Sequence, residues 1–494
     1  MTVMSDEVCI GYRELGSTDG LQGDPYSINR ERIKESHMQI RGGTGHGKSS
    51  LLARLILQLS QPYDIWHSDR TGARRVTHSA IEDPLFVIIN GQDLSLFHQV
   101  RLAAEATGRT FRYFSLWPER SAFIDPFQFL SKSSTSAIEL ANLFVQAFNL
   151  DGGLGHGNLY FTSANIDALH QVVEQVARRR RAGEYVMLAD VVKQIERNNV
   201  RDQQHIKMML KFLLPFTQLQ PGPAEPNKID FARALREKEI ICGIFPPLIN
   251  SGPARQLAGI MAYGIIHAAQ LESVSPAKPI VIIDEVQEIA GRSFGRLLEH
   301  ARKQVSLVIA HQNTNQLKSG DMDLTEVVAA NTDIKVHLTF ANKEIDQLLD
   351  YSQESRGVLA GQVIDGENRI SHSEREYVER VLSRNSILEF GAQRMKGFVM
   401  NNMSERYEEP TPIRIEHPIS VELYEQIRHE LPPLSQQKRG TQSGTSLAGQ
   451  RRDRQDSAAG SAPPPRRQIH QTALTALLKQ KQNTLRPGTG KHQD

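Results

Sequence analysis

The sequence predicts an α/β fold with a mostly parallel central sheet, an inserted all-α domain and a disordered C-terminal tail. Apolar runs of strand length alternate with helical runs through most of the chain, which is typical of α/β folds. Residues 131–225 contain helical periods but no buried strand, and the end of the chain is rich in Gln, Ser, Gly, Arg and Pro. With 494 residues, 39% of them hydrophobic and 23% charged, the chain is long enough for about two to three domains. This composition excludes collagen-like and wholly disordered proteins.

The predicted strands are short runs rich in Ile, Val, Leu and Phe, which is typical of a sheet buried on both faces. They are His37–Arg41, Leu85–Ile89, Ile240–Phe245, Ile280–Ile283, Leu307–Ala310 and Ile334–Leu338. A hairpin-like region is expected at Ser386–Met400. The helical periods of the inserted domain are Ala137–Phe148, Tyr160–Arg178, Leu188–Arg197 and Gln204–Leu214. We therefore predict one discontinuous α/β domain at 1–130 and 226–435, the all-α domain at 131–225 and a basic tail at 436–494.

Charge is distributed unevenly along the chain. Residues 436–494 contain eleven Lys or Arg and three Asp, a net charge of +8, although the whole chain carries only +2. The remaining residues therefore carry −6. A basic tail fits either DNA binding without sequence preference or attraction of acidic proteins. Its apolar residues between Ile469 and Leu478 fit either a weak helix in a linker or a segment that folds against a partner protein.

Membrane spans, secretory signals and metal motifs are not evident in the sequence. The longest apolar stretch, Leu257–Ala269, is too short to cross a membrane, and the N-terminus is polar from Ser5 onward. Cys9 and Cys242 are the two cysteines, and they fit a reducing cytoplasm. Neither CxxC nor HExxH ligand spacing occurs.

A glycine-rich motif follows the first predicted strand. Residues Gly42–Ser49 match GxxxxGK[ST], and a helical run begins at Ser50. Glycines allow successive N–H groups to point at phosphate oxygens, and the helix N-terminus attracts the same anion. Lys48 would reach the β- and γ-phosphates, and the Ser49 hydroxyl would bind Mg²⁺. The predicted nucleotide-binding residues are Gly42, Gly43, Thr44, Gly45, His46, Gly47, Lys48, Ser49 and Ser50, with no catalytic role for His46.

A second motif, Ile280–Glu285, is an apolar run that ends in two acids. Ligands of parallel sheets bind beyond the carboxyl ends of the strands. Asp284 would therefore hold Mg²⁺, and Glu285 would polarise the attacking water as a general base. The simpler interpretation is that Asp284 caps the next helix. The adjacent pair of acids favours a hydrolase over a small-molecule kinase.

Two further candidates follow the acidic motif. Gln312 ends the next predicted strand and would report the γ-phosphate, although a polar residue can also simply close a strand. Arg302, upstream of that strand, is a candidate for reaching a neighbouring subunit's phosphate. The arginines that compete for this role are Arg255, Arg292, Arg296 and Arg356.

Three stretches together carry a resemblance to a known family. They are His37–Ser49, Gly108–Phe127 and Ile282–Ile289, the last followed by His311 and Gln312. They resemble the TraD/TraG-type coupling proteins of type IV secretion, which are conjugative DNA-pumping ATPases of the HerA/FtsK translocase superfamily. The resemblance covers about residues 30–400. It implies a RecA-like P-loop NTPase fold with ATP and Mg²⁺ as cofactors.

The resemblance also implies an assembly and partners. The active form would be a ring, a homo-hexamer with ATP between subunits, whose all-α domain faces a channel and whose pore loops grip DNA. Secretion-channel or relaxosome proteins would be its partners. Many members begin with membrane helices, which this sequence lacks, so we expect a separate membrane-anchored partner and a cytoplasmic protein peripheral to the inner membrane. The run Arg178–Arg181 is either a phosphate contact or a solvated helix end.

The leading hypothesis from the sequence is a Mg²⁺-dependent ATPase that translocates DNA in conjugative transfer. Another hypothesis keeps the ATPase and replaces the cargo, giving a protein-translocating or assembly ATPase of a secretion system. In the last hypothesis the chain is a nucleotide-gated recruitment factor with little turnover. The adjacent Asp284 and Glu285 argue against that last interpretation.

Overall fold

A computed structural model describes most of the chain before residue 435. The described residues are 6–14, 23–68, 74–91, 93–131, 136–148, 159–198, 204–246, 251–272, 276–319, 322–340, 342–352, 354–364, 370–380, 382–403, 406–407 and 410–434. The predicted basic tail at 436–494 lies outside them. None of the helices in the described ranges is long and apolar enough to cross a membrane.

The strands and helices are numbered in chain order. The strands are β1 (Glu7–Arg13), β2 (Pro25–Asn29), β3 (Met38–Arg41), β4 (Tyr63–Ser68), β5 (Arg74–Ile81), β6 (Leu85–Ile89), β7 (Phe111–Ser115), β8 (Phe123–Ile124), β9 (Lys228–Ile229), β10 (Ile240–Ile244), β11 (Ile280–Asp284), β12 (Ser306–His311), β13 (Lys318–Ser319), β14 (Met322–Asp323), β15 (Ile334–His337), β16 (Glu354–Ile364), β17 (Ile370–Arg380), β18 (Lys396–Met403), β19 (Arg406–Tyr407) and β20 (Thr411–Arg414). The helices are α1 (Arg30–Glu35), α2 (Lys48–Leu59), α3 (Ser95–Thr107), α4 (Ala137–Ala147), α5 (Leu159–Arg181), α6 (Leu188–Asn198), α7 (Gln204–Leu213), α8 (Phe231–Arg236), α9 (Ser251–Leu271), α10 (Arg292–Ala301), α11 (Thr325–Asn331), α12 (Asn342–Tyr351), α13 (Arg384–Gly391) and α14 (Val421–Ile427).

The largest sheet of the described residues has 12 strands and confirms the predicted, mostly parallel α/β architecture. Its order is β2-β1-β20-β18-β15-β3-β12-β11-β6-β10-β7, and β19 pairs with β18. The strands from β15 to β7 are parallel, whereas β18, β20, β1 and β2 are joined by antiparallel pairings. Because β12 lies between β3 and β11, the carboxyl ends of these three strands form one continuous edge.

Both faces of the parallel part are covered by helices. Along β6, Leu85, Val87 and Ile89 belong to the core beneath α2 and α3. Phe86 and Ile88 belong to the core on the opposite face, which includes α4 to α9. Alternate side chains thus enter different cores, and burial on both faces explains why these strands read as continuous apolar runs.

The bounds of helices α4 to α7 agree to within three residues with the four helical segments predicted for the inserted domain. Their apolar residues share one hydrophobic core with α9 and with a face of the sheet. At the contact of α4 with α9, Gly259 lies so close that an added Cβ would stand 2.7 Å from the carbonyl oxygen of Ala147. The domain boundaries at 130 and 225 stay predictions.

The hairpin predicted at Ser386–Met400 is wrong. This segment contains helix α13 and most of strand β18. The helix begins after Ser383, whose side chain accepts a hydrogen bond from the backbone N–H of Ser386 in a capping box. The long hairpin lies one segment earlier, where β16 and β17 pair antiparallel from Glu354 opposite Arg380 to Ile364 opposite Ile370.

Candidate nucleotide site

The phosphate loop connects β3 to α2 at the carboxyl edge of the sheet. Gly45 and Gly47 have φ angles of 79° and 101°, in the left-handed region that favours glycine. An added Cβ at Gly47 would also lie 2.7 Å from the sulfur of Met395. Lys48 is the first residue of α2, so the N-terminal N–H groups of this helix face the centre of the loop. The motif thus folds into the strand, loop and helix that a phosphate cradle requires.

The predicted acids lie beside the predicted lysine. Asp284 ends β11, and the backbone of Glu285 has a left-handed φ of 53°, which turns its side chain out of the strand direction. The ammonium of Lys48 lies 3.3 Å from Asp284 Oδ1 and donates a short hydrogen bond to Glu285 Oε1. Lys48 and Asp284 are buried and Glu285 is 15% exposed, so the three side chains form a compact ionic cluster that water reaches only at Glu285.

Two glutamine side chains hold the carboxylate of Glu285. Gln312, which follows β12, donates from Nε2 to Glu285 Oε1 at 3.2 Å. Gln287 donates from Nε2 to Glu285 Oε2 at 2.6 Å. The structure therefore brings together Lys48, Asp284, Glu285 and Gln312, four of the residues that the sequence assigned to the site. Gln287 was missed, and its position two residues after the acid pair is the signal that could have found it.

Burial and charge divide the two acids. Burial raises the pKa of Asp284, and the charge of Glu285 adds to the increase, although Lys48 opposes it. Burial also tends to raise the pKa of Glu285, but the charge of Lys48 and hydrogen bonds from Lys48, Gln287 and Gln312 bring it below its usual value. Glu285 is therefore ionised at neutral pH and can accept a hydrogen bond or a proton.

Backbone contacts fix the acid pair from the neighbouring strand. The side-chain amide of Asn90, at the end of β6, donates to the carbonyl oxygen of Asp284 at 3.0 Å. The next residue, Gly91, is close enough that an added Cβ would lie 3.7 Å from Asp284 Oδ2. The turn after β6 thus closes one side of the site.

The phosphate loop is held from the opposite side by Thr339, which follows β15. The backbone N–H of Gly43 donates to the Thr339 hydroxyl at 3.2 Å. The carbonyl oxygen of Thr339 accepts a hydrogen bond of 2.5 Å from the guanidinium of Arg41. Neither Asn90 nor Thr339 was assigned to the site from sequence, because these contacts depend on the order of strands in the sheet.

His311 connects the phosphate loop strand to the turn that carries Gln312. Its Nδ1 lies 3.0 Å from the carbonyl oxygen of Asn313, which can only accept, so Nδ1 carries the proton. Its Nε2 therefore accepts from the side-chain amide of Gln39 on β3, at 2.8 Å. Burial lowers the pKa of His311 to about 4. A neutral imidazole thus ties β3 to the segment that approaches Glu285.

Arg302 lies at the other edge of the sheet. Its Nε donates to the carbonyl oxygen of Glu35 at 2.9 Å, and its Nη2 pairs with Asp333. Glu35 precedes β3 and Asp333 precedes β15, which places Arg302 at the amino ends of the parallel strands. The structure does not bring it to the site formed by Lys48 and Glu285, and its action on a neighbouring subunit stays a prediction.

One competing arginine lies nearer to the acids. Arg255 on α9 is 59% exposed, and its Nε lies 2.8 Å from a carboxylate oxygen of Glu288, three residues after Glu285. The side chains of Arg292, Arg296 and Arg356 lie outside the described residues. Arg255 is therefore an exposed cation that pairs with a residue three positions after Glu285.

The run Arg178–Arg181 ends α5, and most of its side chains are paired. Arg180 is buried and makes a bidentate ion pair with Asp125, with N–O distances of 2.7 and 3.0 Å. Arg178 and Arg179 form surface ion pairs with nearby glutamates. These contacts favour a structural role for the run over a phosphate contact.

The oxygen atoms of the site fit Mg²⁺. Mg²⁺ prefers oxygen ligands and is usually bound by one or two carboxylates together with substrate phosphates and water. Asp284 supplies a buried carboxylate, and Ser49 supplies a hydroxyl in the first turn of α2. No cluster of three or more His, Cys, Asp or Glu side chains suited to a metal occurs in the described parts of the chain. Asp284 and Ser49 would hold the ion, which would neutralise phosphate charge.

Comparison with known proteins identifies the fold. No protein-family model matches the sequence, and no curated protein matches it. Among solved structures, unbound TrwBdeltaN70, a bacterial conjugative coupling protein, is similar with a TM-score of 0.55 at 12% identity, covering 86% of this chain and 93% of that chain. The chain has the same fold as TrwB.

Two further structures support this fold. TrwB in complex with ADP and Mg²⁺ has a TM-score of 0.52 at 14% identity and covers 84% of this chain and 94% of that chain. VirB4 of Thermoanaerobacter pseudethanolicus has a TM-score of 0.50 at 13% identity and covers 86% of this chain and 100% of that chain. The RecA-like P-loop fold predicted from the sequence is confirmed, and the resemblance to TraD/TraG-type coupling proteins is confirmed at the level of the fold.

Proposed function

We propose that this chain is an ATP-hydrolysing motor that translocates DNA, a coupling ATPase of conjugative transfer and type IV secretion. The observation that carries the proposal is the convergence of Lys48, Asp284, Glu285 and Gln312 at the carboxyl ends of β3, β11 and β12. A cradle for phosphates, a carboxylate suited to a metal and an ionised carboxylate suited to a general base lie within one buried cluster.

ATP and Mg²⁺ are the cofactors that this arrangement supports. Structures of TrwB, which shares the fold, contain ADP with Mg²⁺ or a non-hydrolysable ATP analogue. In the present chain Lys48 is bonded to both acids, so a triphosphate would have to compete with two carboxylates for the ammonium. Lys48 would then neutralise phosphate charge, and Glu285 would be released to orient the attacking water.

DNA is the cargo that the resemblance supports. TrwB is a conjugative coupling protein, and the present chain matches its fold along most of both chains. In a hexameric ring, each site would be completed by an arginine of the neighbouring subunit, with Arg302 as the residue predicted from sequence and Arg255 as an exposed cation paired with Glu288. Secretion-channel proteins and a separate membrane-anchored partner complete the proposed assembly.

Phosphate release from Mg·ATP, measured with and without single- or double-stranded DNA, tests the proposal. DNA is expected to raise the rate, and Lys48→Ala or Glu285→Gln is expected to lower it by about 10²-fold or more, because each removes a charge at the reacting phosphate. Lys303→Ala and Glu299→Gln are matched controls, since both side chains are exposed on or beside α10. Both should retain the rate of the unchanged chain.

Three results would count against the DNA motor. A normal rate that does not respond to either form of DNA removes translocation of DNA from the proposal. Stimulation by secreted proteins instead of DNA would identify a protein-translocating or assembly ATPase. Tight ATP binding without phosphate release would identify a nucleotide-gated recruitment factor.

A further inference from the structure

The strand order fixes the direction in which a triphosphate would cross the sheet, given the proposed nucleotide site. Asp284 and Gln312, at the ends of β11 and β12, lie on one flank of β3 and would face the terminal phosphate. A triphosphate is a linear chain, so its nucleoside must leave the loop on the other flank. That flank is formed by β15, β18 and β20, in that order.

Met395 lies on this second flank, directly over the phosphate loop. It precedes β18 and has a left-handed φ of 64°, which is unusual for a residue with a long side chain. Its sulfur would be 2.7 Å from a Cβ added to Gly47, so the thioether packs against the glycine at the start of α2. The carbonyl oxygen of Met395 accepts a hydrogen bond of 2.6 Å from the N–H of Ile415.

His417 follows two residues later on the chain that leaves β20. Its Nδ1 lies 2.9 Å from the hydroxyl oxygen of Ser50, the residue in α2 that follows the motif. The ring is half-buried and lies 5.9 Å from the ring of Tyr424 on α14. Burial lowers the pKa of His417, so the imidazole is neutral at neutral pH. A flat neutral ring thus stands beside the first turn of α2.

The segment that carries His417 is anchored along its length, here called the C-terminal strap (residues 415–434). The phenol of Tyr424 donates to a carboxylate oxygen of Asp93 at 2.7 Å. The N–H of Leu94 donates to the carbonyl oxygen of Arg428 at 3.1 Å. These contacts hold the strap against the turn after β6 and against α3. The position of His417 is therefore set by the folded body.

We propose that Met395 and His417 form the nucleoside side of the site, where the nucleobase of ATP stacks on the imidazole and packs against the thioether. Thioether and imidazole faces bind any nucleobase by stacking and dispersion, because every base has a π-face. Of the two residues next to His417, Pro418 has no N–H to donate to a base edge, and Glu416 pairs with Arg414 at 3.4 Å. ATP and GTP should therefore bind with dissociation constants within about threefold of each other.

The test compares a nucleotide with the same phosphates lacking the nucleoside. Dissociation constants of ATP and of tripolyphosphate, each with Mg²⁺, are measured on the full chain by calorimetry. His417→Ala is expected to weaken ATP about tenfold through lost stacking and to change tripolyphosphate by less than about twofold. His417→Phe keeps a flat ring but loses the bond to Ser50, and it should restore most of the ATP affinity. His429→Ala is the matched control, because His429 is exposed on the same strap.

Each outcome decides the inference. An equal loss for ATP and tripolyphosphate in His417→Ala would show that the residue acts on the loop through Ser50, which overturns base stacking. Unchanged ATP affinity, or failure of His417→Phe to restore it, overturns the inference as well. If the unchanged chain binds ATP and tripolyphosphate equally, the phosphate loop is sound and only the nucleoside site is refuted. If it binds neither ligand, the proposed function fails first.

Discussion

At the scale of single residues, Arg180 shows how a basic run can be structural. Its guanidinium bonds Asp125 twice, donates to the carbonyl oxygens of Phe127 and Val186, and lies over the ring of Tyr185. This one side chain joins the end of α5 to the segment after β8. A run of four arginines in a sequence does not reveal that one of them, Arg180, pairs with a buried carboxylate.

Removing one partner of the Arg180–Asp125 pair is expected to destabilise the protein strongly. Asp125→Asn should lower the free energy of unfolding by about 3 kcal/mol, because it leaves a buried guanidinium without its counter-charge. Arg178→Ala is the control, since Arg178 is 72% exposed and its pair with Glu174 lies on the surface. We expect that control to change stability by no more than about 1 kcal/mol in urea unfolding. Equal losses in the two variants would contradict the buried role.

The residues of the site fall into two groups: those that a contiguous sequence motif predicts, and those that reach the site from distant segments of the chain. Lys48, Asp284 and Glu285 were predictable, because a motif and the end of an apolar strand each determine chemistry from consecutive residues. Thr339 and His417 were not predictable, because each reaches the phosphate loop from a distant segment through the pairing order of the sheet. The order of strands in the sheet cannot be read from any short segment of a single sequence.

At the scale of elements, burial decides which strands could be predicted. The predicted Leu85–Ile89 is β6 itself, and the other predicted strands agree with β3, β10, β11, β12 and β15 to within one residue at each end. All of these strands are parallel and covered on both faces. Strands β1, β2 and β20 of the antiparallel flank, and the β4–β5 and β16–β17 hairpins, were not predicted. Their sequences mix polar and apolar residues without a continuous apolar run.

The close approach of α4 and α9 gives a prediction for helix packing. Gly259→Ala should lower the free energy of unfolding by about 2 kcal/mol, because the new Cβ meets the backbone of Ala147 at 2.7 Å and the helices must separate. Gly252→Ala is the matched control in the same helix, since an added Cβ there meets nothing within 4 Å. That change should be neutral or stabilising by up to about 1 kcal/mol. Urea unfolding of both variants measures the difference, and a harmless Gly259→Ala would refute the tight contact.

At the scale of the whole molecule, buried neutral histidines make folding sensitive to acid. Burial lowers the pKa values of His37 and His311 to about 4. His37 Nδ1 accepts a hydrogen bond from the N–H of Leu307 at 3.1 Å, and a protonated ring could not accept it. In the unfolded chain these two histidines are protonated near the ordinary histidine pKa of about 6.5. In the folded chain they are protonated only when the pH falls to about 4.

Stability is therefore expected to fall as the pH decreases from about 6.5 to 4. Each of the two histidines contributes its full stabilisation at pH values above the unfolded pKa. Protonation of each one in the unfolded chain should lower the free energy of unfolding by about 2 kcal/mol at pH 5 relative to pH 8. Urea unfolding at both pH values measures the loss. His311→Gln should reduce the pH dependence by about half of the joint effect, and an unchanged slope would show that other groups control it.

The two contacts on the phosphate loop from β15 and β18 have a thermodynamic consequence. Thr339 bonds Gly43 just before α12, and Met395 packs on Gly47 just after α13, so the chain from α12 through the β16–β17 hairpin to α13 leaves the loop and returns to it. A ligand that changes the free energy of the phosphate loop thereby changes the free energy of the segment from α12 to α13. Such coupling is reciprocal. If nucleotide binding changes the affinity of the β16–β17 hairpin for a binding partner by some factor, that partner changes the nucleotide affinity by the same factor.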